Sequence, residues 1–278
     1  MPSPALWALI ALLTWSPAAT FARDGQGAAP GPADALWTRL LERCVVPTRD
    51  GGSTAVDYGC FTASRRDLDR YLASLTSIDR ETFERWSRDS RLAFLINAYN
   101  AFTVELILDA WPDLDSIRDL GGLFSSPWKK SFISLLGERV SLDDIEHGMI
   151  REPGRFDEPR IHFAVNCASI GCPALRREAY RGETINAQLE EQTVQFLGDR
   201  SRNRLRAGRL EVSPLFKWYR DDFGNGARDI GSLRGFLARY ADALDLDDGQ
   251  RARLVKGELP LRFLDYDWSL NDLPDTAP

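Results

Sequence analysis

Apolar residues recur at helical spacing along most of this chain. Leu68, Tyr71, Leu72 and Leu75 predict a helix over residues 65–75. The widest pattern, Leu92, Leu95, Ile96, Tyr99, Phe102, Leu106 and Ile107, predicts a helix over residues 89–110, stopped by Pro112. A helix apolar on so many sides is buried on most of them. Asn97 and Asn100 interrupt it three residues apart and so share a face, where buried amides need hydrogen-bond partners. Further helices are expected over 34–44 with Asp34 as N-cap, 79–86, 142–151 begun by Ser141, 184–197, 215–223 and 232–240.

Alternation with period two enters at residues 160–166. There Ile161, Phe163 and Val165 oppose His162, Ala164 and Asn166, and a strand is expected. A tight turn of Ala, Cys, Ser and Gly follows, and Pro173 suits the first position of a helix with Cys172 as its N-cap. Hairpins are expected for 131–136 with 138–140 around Gly137, and for 204–206 with 209–213 around Ala207-Gly208; a late strand is expected over 261–266. The sum is an α+β class: a mostly helical single domain packed on a small antiparallel or mixed sheet.

The start of the chain changes how its chemistry is read. An apolar run at residues 6–15, followed by Thr20-Phe21-Ala22, predicts a signal peptide over 1–22 with cleavage after Ala22. Residues 23–35 then form a flexible leader, and 36–278 form the globular domain. The expected location is periplasmic or secreted. The run is too short to cross a bilayer, and no later segment is a span candidate, so no integral membrane segment is expected after cleavage. Net charge is −6, from 35 Lys+Arg against 41 Asp+Glu, which offers no basic surface for nucleic acid. In an oxidising compartment the four cysteines, Cys44, Cys60, Cys167 and Cys172, favour disulfides. Three pairings are possible, of which Cys44–Cys60 with Cys167–Cys172 needs the least rearrangement.

Several stretches together resemble the domain of unknown function 547 family. They are Leu92-Ala93-Phe94-Leu95-Ile96-Asn97-Ala98-Tyr99-Asn100-Ala101, Ile145-Glu146-His147, His162-Phe163-Ala164-Val165-Asn166-Cys167-Ala168-Ser169, Gly171-Cys172-Pro173, Leu215-Phe216-Lys217-Trp218-Tyr219 and Tyr266-Asp267-Trp268-Ser269-Leu270-Asn271. The resemblance spans about residues 66–271 and implies one compact domain, with no settled reaction, cofactor or substrate. Leu95 stands where the family commonly has tryptophan.

Both histidines, His147 and His162, fall inside these motifs, upstream of Cys172. One reading is a hydrolase or acyltransferase-like cleft. In it Cys172 at a helix start, or Cys167, is the nucleophile, and His162 is its base. Asn100, Asn97 or Asn166 then orients the base or donates to an oxyanion. The order of histidine before cysteine requires a permuted chain relative to papain-like enzymes. A second reading is a non-catalytic module that binds a small molecule or peptide and is stapled by a Cys167–Cys172 disulfide, with Asn97, His147, Glu146 and Asn166 near the ligand. No cofactor is expected, although His147, His162, Cys167 and Cys172 with Glu146 nearby make zinc a further alternative. A labile redox disulfide is the last. The functional surface is expected between the Asn97/Asn100 helix and the 162–172 turn. Trp128-Lys129-Lys130 is a candidate exposed recognition loop, and Asp265-Tyr266-Asp267-Trp268 is a candidate pocket border through its carboxylates.

Overall fold

The computed structural model describes residues 33–49, 51–122 and 125–273. The expected signal peptide and nearly all of the leader lie outside the described residues.

The first half is helical, as its periodicity requires. Helix α1, Asp34–Cys44, packs Trp37, Leu40 and Leu41 inward. Helix α2 is Tyr58–Ala63, and α3, Arg65–Thr76, buries the Leu68, Tyr71, Leu72 and Leu75 stripe, with the Tyr71 ring stacked on Trp37 at 5.1 Å. After the short α4, Arg80–Glu84, comes α5, Arg88–Leu108, buried almost all round. Ser87 caps α5 by accepting from the Ser90 amide at 3.1 Å. By length and composition α5 is the one helix among the described residues that is long and apolar enough to cross a membrane, yet 83% of that window is buried inside the protein.

The later helices are α6, Ile185–Gly198; α7, Leu215–Trp218; α8, Leu233–Arg239; and α9, Asp248–Val255. The strands form three small sheets rather than one. Val45–Pro47 (β1) pairs antiparallel with Thr54–Val56 (β2). Ile133–Leu135 (β3) and Glu138–Val140 (β4) form the hairpin expected at Gly137, which takes φ +81°. Arg204–Arg206 (β5), Arg209–Val212 (β6) and Leu261–Phe263 (β7) form a mixed sheet, antiparallel then parallel. The class is α+β, as the patterning predicts.

Five expectations are corrected. Asp34 is the first residue of α1 and makes no cap bond; its carboxylate instead accepts from the Tyr71 hydroxyl at 3.3 Å. The segment after Ser141 is a π-helical turn, Asp144–Ile150, in which the Arg151 amide reaches back five residues to the Glu146 carbonyl. The helix expected over 215–223 closes after Trp218 and continues as turns. No strand forms at 160–166: Pro159–Phe163 is a 3-10 helix, begun by Pro159 and by Glu158, whose carboxylate accepts from the Arg160 amide at 3.2 Å. The alternation there had no solvent face to report, since residues 161–166 are all buried. Lastly, no helix begins at Pro173; the chain stays irregular until α6, because its backbone groups are taken by distant partners described below.

Two apolar clusters result. One is built on α1, α3, α5 and the β3–β4 hairpin, and it includes Ile161 and Val165. The other gathers Phe163, Phe196, Phe216, Phe223 and Phe236 beside β6, α8 and α9. Ile161 and Val165 thus face one cluster and Phe163 the other, so the 159–165 segment is the seam between them.

Candidate functional site

A cleft of about 220 Å³ opens on this seam. Tyr99 enters it from α5, Glu146 and His147 from the π turn, His162 and Val165 from the seam segment, and Cys167 and Cys172 from the turn that follows. Aromatic rings close the other side. Trp218 and Tyr219 come from the end of α7, Tyr266 and Trp268 from the C-terminal tail, and Trp128 from the loop before β3. Trp218, Tyr266 and Trp268 contact one another with centroids 4.5–5.7 Å apart, and Trp128 meets Trp268 edge-on at 5.9 Å. The 265–268 stretch borders the cleft through the rings of Tyr266 and Trp268 and not through the expected carboxylates, since Asp265 and Asp267 are exposed outside the lining. Trp128 lines the cleft, while Lys129 and Lys130 are exposed.

The polar floor is organised around His162, which is 2% exposed. Its Nε2 lies 2.7 Å from Asp222 Oδ2, and its ring stacks on Tyr219 at 3.9 Å. Burial holds the imidazole below its ordinary pKa, against the opposing pull of Asp222. Burial alone would raise the Asp222 carboxyl, but hydrogen bonds from His162 and Arg151 outweigh it and hold the group well below the usual carboxylate range. The consistent assignment is a neutral imidazole donating from Nε2 to an ionised carboxylate, with Arg151 as the counter-ion at 2.6 and 3.1 Å. His162 Nδ1 is then a lone-pair acceptor, and it is buried with no hydrogen-bond partner among the described residues.

Glu146 is the second unsatisfied group. It is 6% exposed and sits beside the phenols of Tyr99 and Tyr219, both of which burial pushes up, with the Glu146 charge adding to the effect. Its Oε1 remains buried without a partner. The nearest imidazole nitrogen, His147 Nδ1, is 3.8 Å away and accepts from Arg151 at 2.6 Å, so it has no proton to give Glu146.

Cys167 and Cys172 are at disulfide-bonding distance, 2.13 Å, as are Cys44 and Cys60 at 1.95 Å. This is the local pairing. Cys167 is half-buried and Cys172 is buried. The Tyr266 hydroxyl lies 3.2 Å from both sulfurs, and Ser169 Oγ lies 3.3 Å from Cys167 Sγ and 3.4 Å from Cys172 Sγ. The turn that holds them is pinned by amides. Asn100 donates to the Ala164 carbonyl and accepts from the Asn166 amide, at 2.9 and 2.8 Å. Asn166 donates to the Pro173 carbonyl at 2.7 Å and accepts from the Ala168 amide at 2.9 Å. Asn97 does the same for both backbone groups of Tyr180, each at 2.9 Å.

The structure therefore brings Glu146, His147, His162, Cys167 and Cys172 to one cleft. It sets Asn97, Asn100 and Asn166 behind that cleft, engaged with backbone. Among the described residues no three His, Cys, Asp or Glu side chains converge as metal ligands. Sequence reasoning missed Asp222, Arg151 and Tyr99. Tyr99 lay inside a quoted motif, and Asp222 sits three residues beyond Tyr219 of another, whereas nothing local marks Arg151.

The sequence profile of the family described as protein of unknown function, DUF547, matches residues 83–197. The expected resemblance is borne out over that segment, which carries α5, the π turn, the seam and the cysteine turn. The 215–219 and 266–271 stretches lie beyond the match. No curated protein and no solved structure matches the chain.

Proposed function

We propose that this chain is an exported ligand-binding module whose cleft takes a small molecule or a peptide side chain, with Cys167–Cys172 as the staple of its floor. One observation carries the reading: two buried polar atoms, Glu146 Oε1 and His162 Nδ1, lack partners and belong to residues lining the same aromatic-walled cleft. Buried polar atoms in native proteins are nearly always satisfied, and a ligand supplies what the fold withholds. Two cysteine pairs at bonding distance support an oxidising compartment, and hence the export expected from residues 1–22.

Trp218 provides the test. It is 47% exposed at the rim, so removing its ring does not empty the core. Small molecules that occupy the cleft quench tryptophan fluorescence and raise the melting temperature of the wild-type chain, and both effects shrink in Trp218→Ala. Binders whose effects are the same in both proteins would count against this cleft.

A second reading is favoured by the Asp222–His162 pair, which orients an imidazole in the same cleft as both cysteines. Nδ1 has no sulfur within hydrogen-bond distance among the described residues, so this reading requires the reduced turn to bring a thiol to it. A dithiol reductant would convert the disulfide into two cysteine thiols while itself becoming oxidised. One thiolate would then attack an acyl carbonyl, His162 would pass the sulfur's proton to the departing alcohol or amine, and water would release the acid and restore the thiol. Iodoacetamide separates the readings. The binding module leaves no reactive thiol in the unreduced chain and an ordinary thiol pH profile after reduction. A profile displaced to low pH, and restored to the ordinary range by His162→Gln, would establish the second.

A further inference from the structure

We infer that the ligand is an organic cation, an ammonium group that sits against the aromatic wall and pairs with Glu146; this rests on the binding reading above. Three features converge on that chemistry. Among the described residues the cleft wall carries the carboxylates of Asp143 and Glu146 but no lysine or arginine. Its remaining surface is dominated by indole and phenol rings, whose faces are the electron-rich partners that ammonium groups prefer. Of the two carboxylates on this wall the buried one, Glu146, keeps an oxygen without a hydrogen-bond partner among the described residues, and a buried carboxylate is stable only when its charge is answered.

The protein's own cations do not fill that role. Arg151, the guanidinium nearest the floor, is committed to Asp222 by two hydrogen bonds and to His147 by a third. It lies 4.8 Å from the Tyr219 ring centroid, and Arg118 lies 5.3 Å from that of Trp268. Both show rings of this wall already engaged with cations. Tyr99, Glu146 and Tyr219 all line this cleft, so the carboxylate already lies among the rings that would receive the charge. An anionic ligand would meet Asp143 and Glu146 on the wall, with Arg118 and Arg151 contacting its rings but not lining the cleft, and a purely apolar one would leave Glu146 Oε1 as it is.

The decisive comparison uses one shape with and without charge. Choline and 3,3-dimethylbutan-1-ol differ at the quaternary nitrogen, which carbon replaces in the alcohol. Titration of the wild-type chain, followed by tryptophan fluorescence and calorimetry, is expected to show choline binding at least about fivefold more tightly. Glu146→Gln keeps the size and shape of the side chain and removes the charge, and it is expected to erase most of that preference. Trp218→Leu keeps apolar bulk without the indole face; it should weaken choline while sparing the alcohol. Circular dichroism and melting confirm that each variant is folded, and the wild-type pair stands without them. Equal binding of the two probes overturns the cation while leaving the binding module intact. Absence of choline binding up to tens of millimolar also overturns it, as does a charge preference that survives in folded Glu146→Gln.

Discussion

Asp34 and Asp222 are two partly buried carboxyls with opposite fates, and their partners decide which. Asp222 faces an imidazole and a guanidinium and stays ionised. Asp34 has a phenol for a hydrogen-bond partner and only a distant arginine, so burial wins and pushes it up to about 6. The sign of the consequence follows. An acid raised in the folded state contributes stability that is fully present below its unfolded pKa, near 4, and lost as pH rises through about 6. Asp34→Asn keeps an acceptor for the Tyr71 hydroxyl and cannot ionise. It is expected to stabilise the protein by about 1–2 kcal/mol at neutral pH, solvent screening having been allowed for, with the advantage gone near pH 4. Unfolding midpoints of both proteins across that range check this; parallel curves would sink it.

At the scale of elements, α5 acts as a clamp on the cysteine turn. Asn100 satisfies a buried carbonyl on one side of that turn and a buried amide on the other. Asn100→Ala strands both and is expected to cost about 2–5 kcal/mol in denaturant unfolding. It should also speed reduction of Cys167–Cys172 by dithiothreitol more than that of Cys44–Cys60, as mass spectrometry of alkylated peptides would read. Equal acceleration of both bridges would mean that the clamp is not local. The helix and its two amides were legible in the sequence, because periodicity and polarity are local properties. The strand expected at 160–166 was not a sound reading, for a local reason too: period two identifies a strand only when the alternate positions meet water, and here every position is buried. The helix expected after Cys172 failed for a non-local one. The carbonyls of Ala174 and Leu175 are taken by Gln192 and Thr54 and the Ala179 amide by Thr38, while just before them the amides of Ile170 and Gly171 are taken by the carbonyls of Ser269 and Asp267, about a hundred residues away. Gly171 is required there, because a Cβ would lie 2.8 Å from the Tyr266 ring. Of the site, Glu146, both histidines and both reactive-position cysteines could be picked out beforehand. Asp222 and Arg151 could not, since only folding places them beside His162.

At the scale of the whole molecule, the C-terminal tail is what makes the cleft one object. It carries Tyr266 and Trp268 into the wall, then runs back across the first cluster. Leu270 donates to the Asp115 carbonyl, and Asn271 donates to that of Ala168 and accepts from the Val56 amide. The Asn271 side chain closes the path: it accepts from the buried Tyr58 hydroxyl at 2.8 Å and donates to Asn166 at 3.3 Å. One residue thus joins the β1–β2 hairpin and α2 to the amide that pins the cysteine turn, without touching the cleft. Asn271→Ala leaves the Tyr58 hydroxyl buried and unpartnered, which is expected to destabilise the protein by about 1–3 kcal/mol. Because the tail positions two aromatic walls, choline affinity should fall as well, although no group that meets the ligand has changed. Pairing Asn271→Ala with Tyr58→Phe separates the contributions. The double variant removes both partners, so it should recover much of the lost stability while the tail stays loosened and affinity stays low. Restoration of affinity along with stability would show that the tail is held by its backbone bonds alone, and that the link through Asn271 carries nothing to the cleft.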